Sequence, residues 1–463
     1  MEEWEIDLAV IGSGPAGQKG AIQAAKLGKK VVIIEKEPVP GGACLNSGTI
    51  PSKSLREAII DLSRYNERSF YGQSCIREIT ISDLNYRLHA VLEGEREILY
   101  RQFKKNKIAF LIGRARFESP YDLVVVDEDS SIVHHIRAKR FLISTGSIPR
   151  NPLHVPFDKE VILDSNRLLA VEKVPKTMVV LGGGIVGTEY ASFFAALGTE
   201  VTILDKKNRL LPLLDAEIGC HLQVGLREIG LKFFPRKIPT KIYRSGNKGI
   251  VLCQDGTIFE AELVLYALGR EANVKGLSIQ NAELNLNEDG YVSVNKNFQT
   301  EKSHIYAAGD VIGYPALAST SMEQGRLAAR HAFGAKTHDF PTLFPLGIYT
   351  IPEISCCGKN EEELLRANIP FEVGRAYYYE IARSHIAGAS QFGLFKLLFH
   401  KETLEILGAH IVGRSATELI HIGQIAMSFR AKIDYFVDQV FNYPTFAEGY
   451  RIAALNGLNK LKP

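Results

Sequence analysis

An excess of either charge is missing from this chain, in which 55 lysines and arginines stand against 52 aspartates and glutamates over 463 residues. That balance excludes the broad basic face of a nucleic-acid-binding protein. An uninterrupted apolar run long enough to span a bilayer is also missing, and the first residues, MEEWEID, are acidic with no apolar signal core. A cytoplasmic protein without a membrane partner is therefore expected. Cysteine is scarce. Cys75, Cys220, Cys253 and the adjacent Cys356 and Cys357 have neither CxxC nor metal-ligand spacing, so they form no disulfide framework and are read as small core or surface residues. His400, His410 and His421 are not at metal-ligand spacings either, and His421, in ELIHIGQIAMSFR, is expected on a helix face at an interface. What the composition does contain is ordinary for a soluble globular protein, with 46% hydrophobic and 23% charged residues. The length is too great for one core and implies two to four domains.

An internal repeat is the strongest positive signal. DLAVIGSGPAGQKGAIQAAKLGKKVVIIEK, from Asp7 to Lys36, lines up without gaps on TMVVLGGGIVGTEYASFFAALGTEVTILDK, from Thr177 to Lys206. Each copy has a β-branched run, then GxGxxG, a helix with small residues on its packing face, and a second β-branched run ending in an acid. A lone GxGxxG fits any glycine-rich turn, but two in register, each after a strand and before a helix, indicate two dinucleotide sites. Gly12 and Gly182 serve the tight strand-to-helix turn, Gly14 and Gly184 let backbone approach a pyrophosphate, and Gly17 and Gly187 bring helix close to strand. The pyrophosphate then lies on the positive end of a helix. Glu35 and Asp205 close the second strands and are placed to accept hydrogen bonds from an adenosine ribose.

Two further stretches, FLISTGSIPR (Phe141 to Arg150) and HIYAAGDVIG (His304 to Gly313), resemble the strands flanking the flavin site of the pyridine nucleotide-disulfide oxidoreductase family, and YALGREAN (Tyr266 to Asn273) resembles its return from an inserted NAD domain. The resemblance covers the whole length. It assigns the first repeat to FAD, with Gly146 and Asp310 among the cofactor-binding residues and Asp310 on the ribityl chain, and the second repeat to a nicotinamide nucleotide. The implied fold is α/β, with two Rossmann-like dinucleotide-binding domains, for FAD and NAD(P), plus a C-terminal α+β dimerisation domain. Its segments are 1–149 (FAD-binding, first part), 150–272 (NAD(P)-binding), 273–344 (return to the FAD domain) and 345–463 (dimerisation), where FKLLFH and ILGAHIVG read as strands around a short turn. A homodimer or higher homo-oligomer is expected.

Against this pattern the chain departs twice. GGACLNSGTIPSK, Gly41 to Lys53, keeps Cys44 but has Thr49 where the family's disulfide reductases have a second cysteine, and a dithiol needs both sulfurs. Cys44 is read as a packed relic rather than a nucleophile. Near the C-terminus FNYPTFAE has Tyr443 in place of the reductases' acid histidine, with Glu448 retained, and an unperturbed phenol titrates near 10, far from neutral acid chemistry.

Hydride handling is what the resemblance leaves. Lys53, in the IPSK turn, and Glu189, just past the second fingerprint, match the family's ion pair beside the flavin N5 and the nicotinamide ring, and with Tyr443 and Glu448 they make up the candidate catalytic set. ALASTSMEQGRLAARHAF, Ala316 to Phe333, reads as a helix whose N-terminus would face the flavin's pyrimidine edge. The implied activity is FAD-dependent hydride transfer between NADPH and NAD+ at one nicotinamide site, by a ping-pong scheme. An NAD(P)H dehydrogenase or oxidase using a quinone or oxygen, and a non-catalytic redox-sensing flavoprotein, stay open. Asp205 suits a free ribose hydroxyl, whereas Lys206, Lys207 and Arg209 could pair with a 2′-phosphate or form only a solvated turn.

Overall fold

Strand Glu2–Ile11 and helix Pro15–Lys26 open the first of two compact units of the computed structural model, which describes residues 2–66, 80–388 and 392–461. This unit comprises Met1–Ala58, Ser82–Arg150 and Gly269–Phe340. Its main sheet runs Ala109–Ile112, Val31–Glu35, Glu2–Ile11, Ile132–Ile143, Asp122–Val126, Arg114–Phe117, with Ile305–Ala307 added in parallel beside the end of Ile132–Ile143. The strands around Glu2–Ile11 are parallel, and Val31–Glu35 is buried along its whole length, as a strand covered on both faces must be. Ala16, Gly20, Ala21 and Ala24 form the buried stripe of the first helix. A Cβ on Gly325 of helix Ala318–Ala332 would lie 2.0 Å from the Ala16 carbonyl oxygen, so the two helices pack backbone to backbone.

The second unit comprises Ile59–Ile81, Asn151–Leu268 and Pro341–Pro463. It holds an all-parallel sheet ordered Lys232–Pro235, Glu200–Asp205, Thr177–Leu181, Leu263–Tyr266, Ile162–Asp164, and a small antiparallel sheet of Pro239–Ser245, Lys248–Cys253 and Ile258–Ala261. Its C-terminal part is an antiparallel sheet, Leu346–Ile348, Ile354–Gly358, Ile406–Val412, Leu394–His400, Phe371–Tyr377, with helices Ala416–Ser428 and Glu448–Asn459. The strands expected from FKLLFH and ILGAHIVG pair with Leu394 opposite Val412. They are buried almost throughout rather than on alternate residues, because helices and loops cover both faces.

The repeat seen in the sequence is a repeat in register. Leu8 faces Val31 and Ile11 faces Ile34, while Met178 faces Val201 and Leu181 faces Leu204. Both are parallel βαβ units, and the fold class is the expected α/β one.

Candidate functional site

In the first unit the fingerprint loop Gly12–Gly17 joins strand to helix. Gly12 has φ +99°, and a Cβ there would lie 2.5 Å from the Ser144 carbonyl oxygen; one on Gly17 would lie 2.0 Å from the Gly12 oxygen. Neither position admits a side chain. Gly14 differs, since a Cβ added to it meets nothing within 4 Å. The protein leaves space beside that backbone, which suits the close approach of a phosphate to the helix N-terminus. The second unit repeats the pattern: Gly182 has φ +110° and its Cβ would meet the Ala267 oxygen at 2.6 Å, Gly187's would meet the Gly182 oxygen at 2.0 Å, and Gly184 faces open space.

The two strand-end acids are tied to these loops. Glu35, which is buried, accepts from the Ser13 N–H at 2.9 Å and the Ser13 hydroxyl at 2.6 Å through Oε2, and from the Glu37 N–H at 3.1 Å through Oε1. Asp205 accepts from the Gly183 N–H at 2.6 Å through Oδ2 and from the Lys207 N–H at 2.7 Å through Oδ1. A carboxylate has about four acceptor positions on its two oxygens, so each acid both fixes its glycine loop and keeps acceptor capacity for a ribose. Ser13 also accepts from the Gly41 N–H at 2.9 Å, and a Cβ on Gly42 would meet Gly14 Cα at 2.8 Å. The GGACLN segment is thereby pinned against the fingerprint loop. Ser13 was not legible from the sequence, although its place inside the GxGxxG marks it.

Helix Gly42–Asn46 carries Cys44, and helix Thr49–Asn66 begins at Thr49 and carries Lys53. Burial pushes the Cys44 thiol up, and a hydrogen bond with the Thr49 side chain and the charge of Lys53 offset this only in part. The residue standing where a second sulfur would be thus offers the thiol a hydroxyl partner that opposes the effect of burial without overcoming it. Lys53 Nζ donates to Ser52 Oγ at 3.2 Å. Gly146 has φ +70°, with open space where a Cβ would be, and its carbonyl accepts from the Asn273 N–H at 2.9 Å, while Asn273 Nδ2 donates to the Thr145 carbonyl at 3.2 Å. Two of the sequence motifs thus meet at one crossing, beside a buried Thr145 hydroxyl that has no partner among the described residues. Asp310 accepts from Ser147 Oγ at 2.8 Å, and Arg270 donates to the same Ser147 through Nε at 2.8 Å. Gly309, at φ +85°, gives its N–H to Gln324 of helix Ala318–Ala332, which lies within the helix expected over Ala316 to Phe333. An open glycine cradle, a tied ribose acceptor and an orphaned hydroxyl fit the adenine dinucleotide end of a flavin, with Asp310 available beyond them.

Glu189 lies in the second unit, on helix Ile185–Ala196, and is buried. Its Oε1 accepts from the Tyr349 N–H at 2.7 Å, and Ser192 one turn on accepts from the Ile351 N–H at 3.1 Å. The segment GIYTIPEIS, Gly347 to Ser355, thus holds the helix face that carries the candidate catalytic acid. Lys53 and Glu189 fall in separate units. Tyr443 is 70% exposed, and Glu448 starts helix Glu448–Asn459 with Oε2 buried and without a partner among the described residues. No hydrogen bond joins that pair among the described residues. Beyond Asp205, Lys206 and Lys207 are exposed, whereas Arg209 is engaged elsewhere, with Glu362 at 3.0 Å and the carbonyls of Pro212 and Leu214. Of the remaining cysteines, Cys220 is exposed and Cys253 buried, burial pushes Cys356 up to about 12 and Cys357 to about 11, and Cys75 lies outside the described residues. His421, on helix Ala416–Ser428, bonds Gln424.

Comparison with known proteins agrees with this architecture. Residues 6–325 match the family described as pyridine nucleotide-disulphide oxidoreductase, and residues 344–454 match its dimerisation domain. The chain is 45% identical over 460 residues to the soluble pyridine nucleotide transhydrogenase of Mycobacterium bovis (strain BCG / Pasteur 1173P2), covering 99% of this chain and 98% of the relative. It is 40% identical over 465 residues to the protein of that name from Chromohalobacter salexigens, covering all of both. Among solved structures, LpdA (Rv3303c) of Mycobacterium tuberculosis matches with a TM-score of 0.89 at 24% identity, over 97% of this chain and 99% of that one, and shows the same fold. The HOCl-induced flavoprotein disulfide reductase RclA of Escherichia coli matches with a TM-score of 0.87 at 25% identity, over 97% and 99%.

Proposed function

Because the chain belongs to the pyridine nucleotide-disulphide oxidoreductase family, we propose that it acts as a pyridine nucleotide transhydrogenase, as the relatives of that name do, carrying hydride between NADPH and NAD+ with FAD. The observation that carries this reading is the Cys44 and Thr49 pair: both dinucleotide loops are built, but the sulfur-exchange loop holds one half-buried thiol, its pKa raised, beside a hydroxyl. Bound FAD supplies a two-electron hydride acceptor and donor. The chain's own residues then have separable tasks. Gly12, Gly14 and Gly17 seat the pyrophosphate, Glu35 holds the Ser13 loop and takes the ribose, and Gly146 and Asp310 lie at the crossing that the rest of the cofactor would follow. Gly182, Gly184, Gly187 and Asp205 do the same for a nicotinamide nucleotide, with Lys206 and Lys207 free to meet a 2′-phosphate. Lys53 and Glu189 are proposed to balance the charge that moves with hydride.

We read residues 1–149 and 273–344 as the flavin-binding part, 150–272 as the nicotinamide-binding part and 345–463 as the interface of a homodimer in the cytoplasm. Among the described residues no helix is long and apolar enough to cross a membrane. Turnover of NADPH with thio-NAD+ by the purified, FAD-loaded protein tests the activity. NADPH consumption only with a quinone or oxygen would favour a dehydrogenase or oxidase, and nucleotide binding without any turnover would favour a sensor.

A further inference from the structure

Strand Lys232–Pro235 runs parallel to Glu200–Asp205, with Pro235 opposite Asp205, so the residues just past both strands emerge together at one edge of the nucleotide-binding sheet. Five cations gather there, and their partners divide them. Arg209 is paired with Glu362 at 3.0 Å, and Lys237 with Asp255 and with Thr257 at 2.8 Å. Lys206, Lys207 and Arg236 are exposed, and none has a carboxylate partner among the described residues. Arg236 is nevertheless held in place. Its N–H reaches the Lys207 carbonyl at 3.4 Å, the next N–H, of Lys237, reaches the Asp205 carbonyl at 3.0 Å, and its Nε donates to Asn208 Oδ1 at 2.9 Å. Its backbone has φ +57°, a left-handed conformation disfavoured for a residue with a Cβ.

A guanidinium with no carboxylate partner among the described residues is thus held through its backbone N–H to the carbonyl of Lys207, two residues past the proposed ribose-binding acid. With Nε used by Asn208, its two terminal nitrogens keep their N–H groups for an anion. The 2′ position of a ribose on Asp205 is the anionic site within this neighbourhood, because NADP+ differs from NAD+ only by a phosphate there.

We infer that Arg236 is a specificity-determining residue that binds the 2′-phosphate of NADP(H) together with Lys206 and Lys207, and that Asn208 is its positioning residue. The inference rests on the transhydrogenase reading, in which one site must take both nucleotides. It explains how a site with an acid suited to a free ribose also accepts the phosphorylated form: the acid comes from one strand and the counter-charge from the next.

The test is calorimetric binding of NADP+ and of NAD+ to the oxidised, FAD-loaded protein, which needs no turnover. Arg236→Ala should weaken NADP+ binding by about tenfold or more while NAD+ changes less than about twofold, since only NADP+ offers a charge-assisted partner. Arg236→Lys should recover part of the loss. Arg236→Gly, which relieves the left-handed backbone, should bind NADP+ as weakly as the alanine variant and so separates lost charge from altered backbone. Asn208→Ala should show a smaller loss, again confined to NADP+. Equal weakening of both nucleotides, or NADP+ binding unchanged in Arg236→Ala, overturns the assignment while leaving transhydrogenation intact. Failure of the wild-type protein to bind NADP+ at all would overturn both.

Discussion

Lys396 Nζ lies 2.7 Å from Asp215 Oδ1, with each side chain 1% exposed. The same ammonium meets Glu217 at 2.9 Å and also Glu361, and Arg375 grips Glu217 through Nε at 2.7 Å and Nη2 at 2.9 Å. Asp215 is also the N-cap of helix Ala216–Glu228, accepting from the Glu217 N–H at 3.1 Å. One lysine from the C-terminal sheet therefore bridges three acids, with Arg375 as a second cation on two of them, and secures the start of a helix that follows the second βαβ repeat. Lys396→Met should be strongly destabilising, by about 3–5 kcal/mol, because removing one partner leaves buried charge uncompensated. A chemical-denaturation midpoint equal to that of the wild type would show that the cluster contributes nothing net.

The same cluster sets a pH profile. Burial alone would raise the Asp215 and Glu217 carboxyls, but the hydrogen bonds and charges of Lys396 and, for Glu217, Arg375 outweigh it and hold both below their ordinary values of 3.8 and 4.5. A group depressed in the fold stabilises above its unfolded value, so this contribution is complete above about 4.5 and is lost as pH falls through the folded values. Lys396 is the opposite case: burial lowers it, its three carboxylates more than compensate, and it ends above 10.5, so its contribution is complete below 10.5 and lost above. His410, fully buried with Nε2 on the Lys359 carbonyl at 2.9 Å, is lowered from 6.5 by burial, and its neutral form is the folded one. Stability therefore begins to fall below pH 6.5 and falls steeply below 4.5. Thermal midpoints measured across this range should show both steps, and His410→Gln should remove the upper one while keeping the lower. An upper step that survives the substitution would assign it to another group.

Both dinucleotide loops were legible in the sequence because their glycines answer local geometry: positive φ at Gly12 and Gly182, and the 2.0 Å approach that a Cβ on Gly17 or Gly187 would make to the preceding loop. The strand after each loop was legible for the same reason. Long-range polar pairing was not. Lys396 sits in FKLLFH, where a strand pattern offers no hint that its partner is 181 residues away. Arg236 stands in no motif and gains its meaning only when Pro235 is set opposite Asp205. Arg209 looked equivalent to Lys206 and Lys207 until Glu362 separated them.

Cys44 is predicted to be dispensable. Burial keeps its thiol protonated, and Thr49 occupies the place of a partner sulfur. Cys44→Ser should leave the NADPH to thio-NAD+ rate within a few-fold of wild type, since about 1.4 kcal/mol on the barrier would be needed for tenfold. The wild-type protein should reduce neither glutathione disulfide nor lipoamide at an appreciable rate. A hundredfold loss in the serine variant with FAD still bound would give the thiol a part in the reaction.

On the proposed reading the fingerprint at Gly182, Gly184 and Gly187 is the one nicotinamide site, so donor and acceptor occupy it in turn and Lys53 and Glu189 should serve both half-reactions. Glu189 has two properties that substitutions can separate: a charge, and a hydrogen bond from the Tyr349 N–H at 2.7 Å that anchors its carboxylate. Glu189→Gln keeps an acceptor for that N–H and removes the charge, whereas Glu189→Ala removes both. If the charge supports hydride movement, the two variants and Lys53→Ala should each slow flavin reduction by NADPH and reoxidation by NAD+ alike, by roughly ten- to a thousandfold. Anaerobic stopped-flow at the flavin band, with one nucleotide at a time, measures the halves separately. Glu189→Gln at the wild-type rate would confine the residue to anchoring the GIYTIPEIS segment, and a variant slow in only one half-reaction would end its shared role. Steady-state lines should be parallel; intersecting lines would require both nucleotides to be bound together and would exclude the single-site scheme.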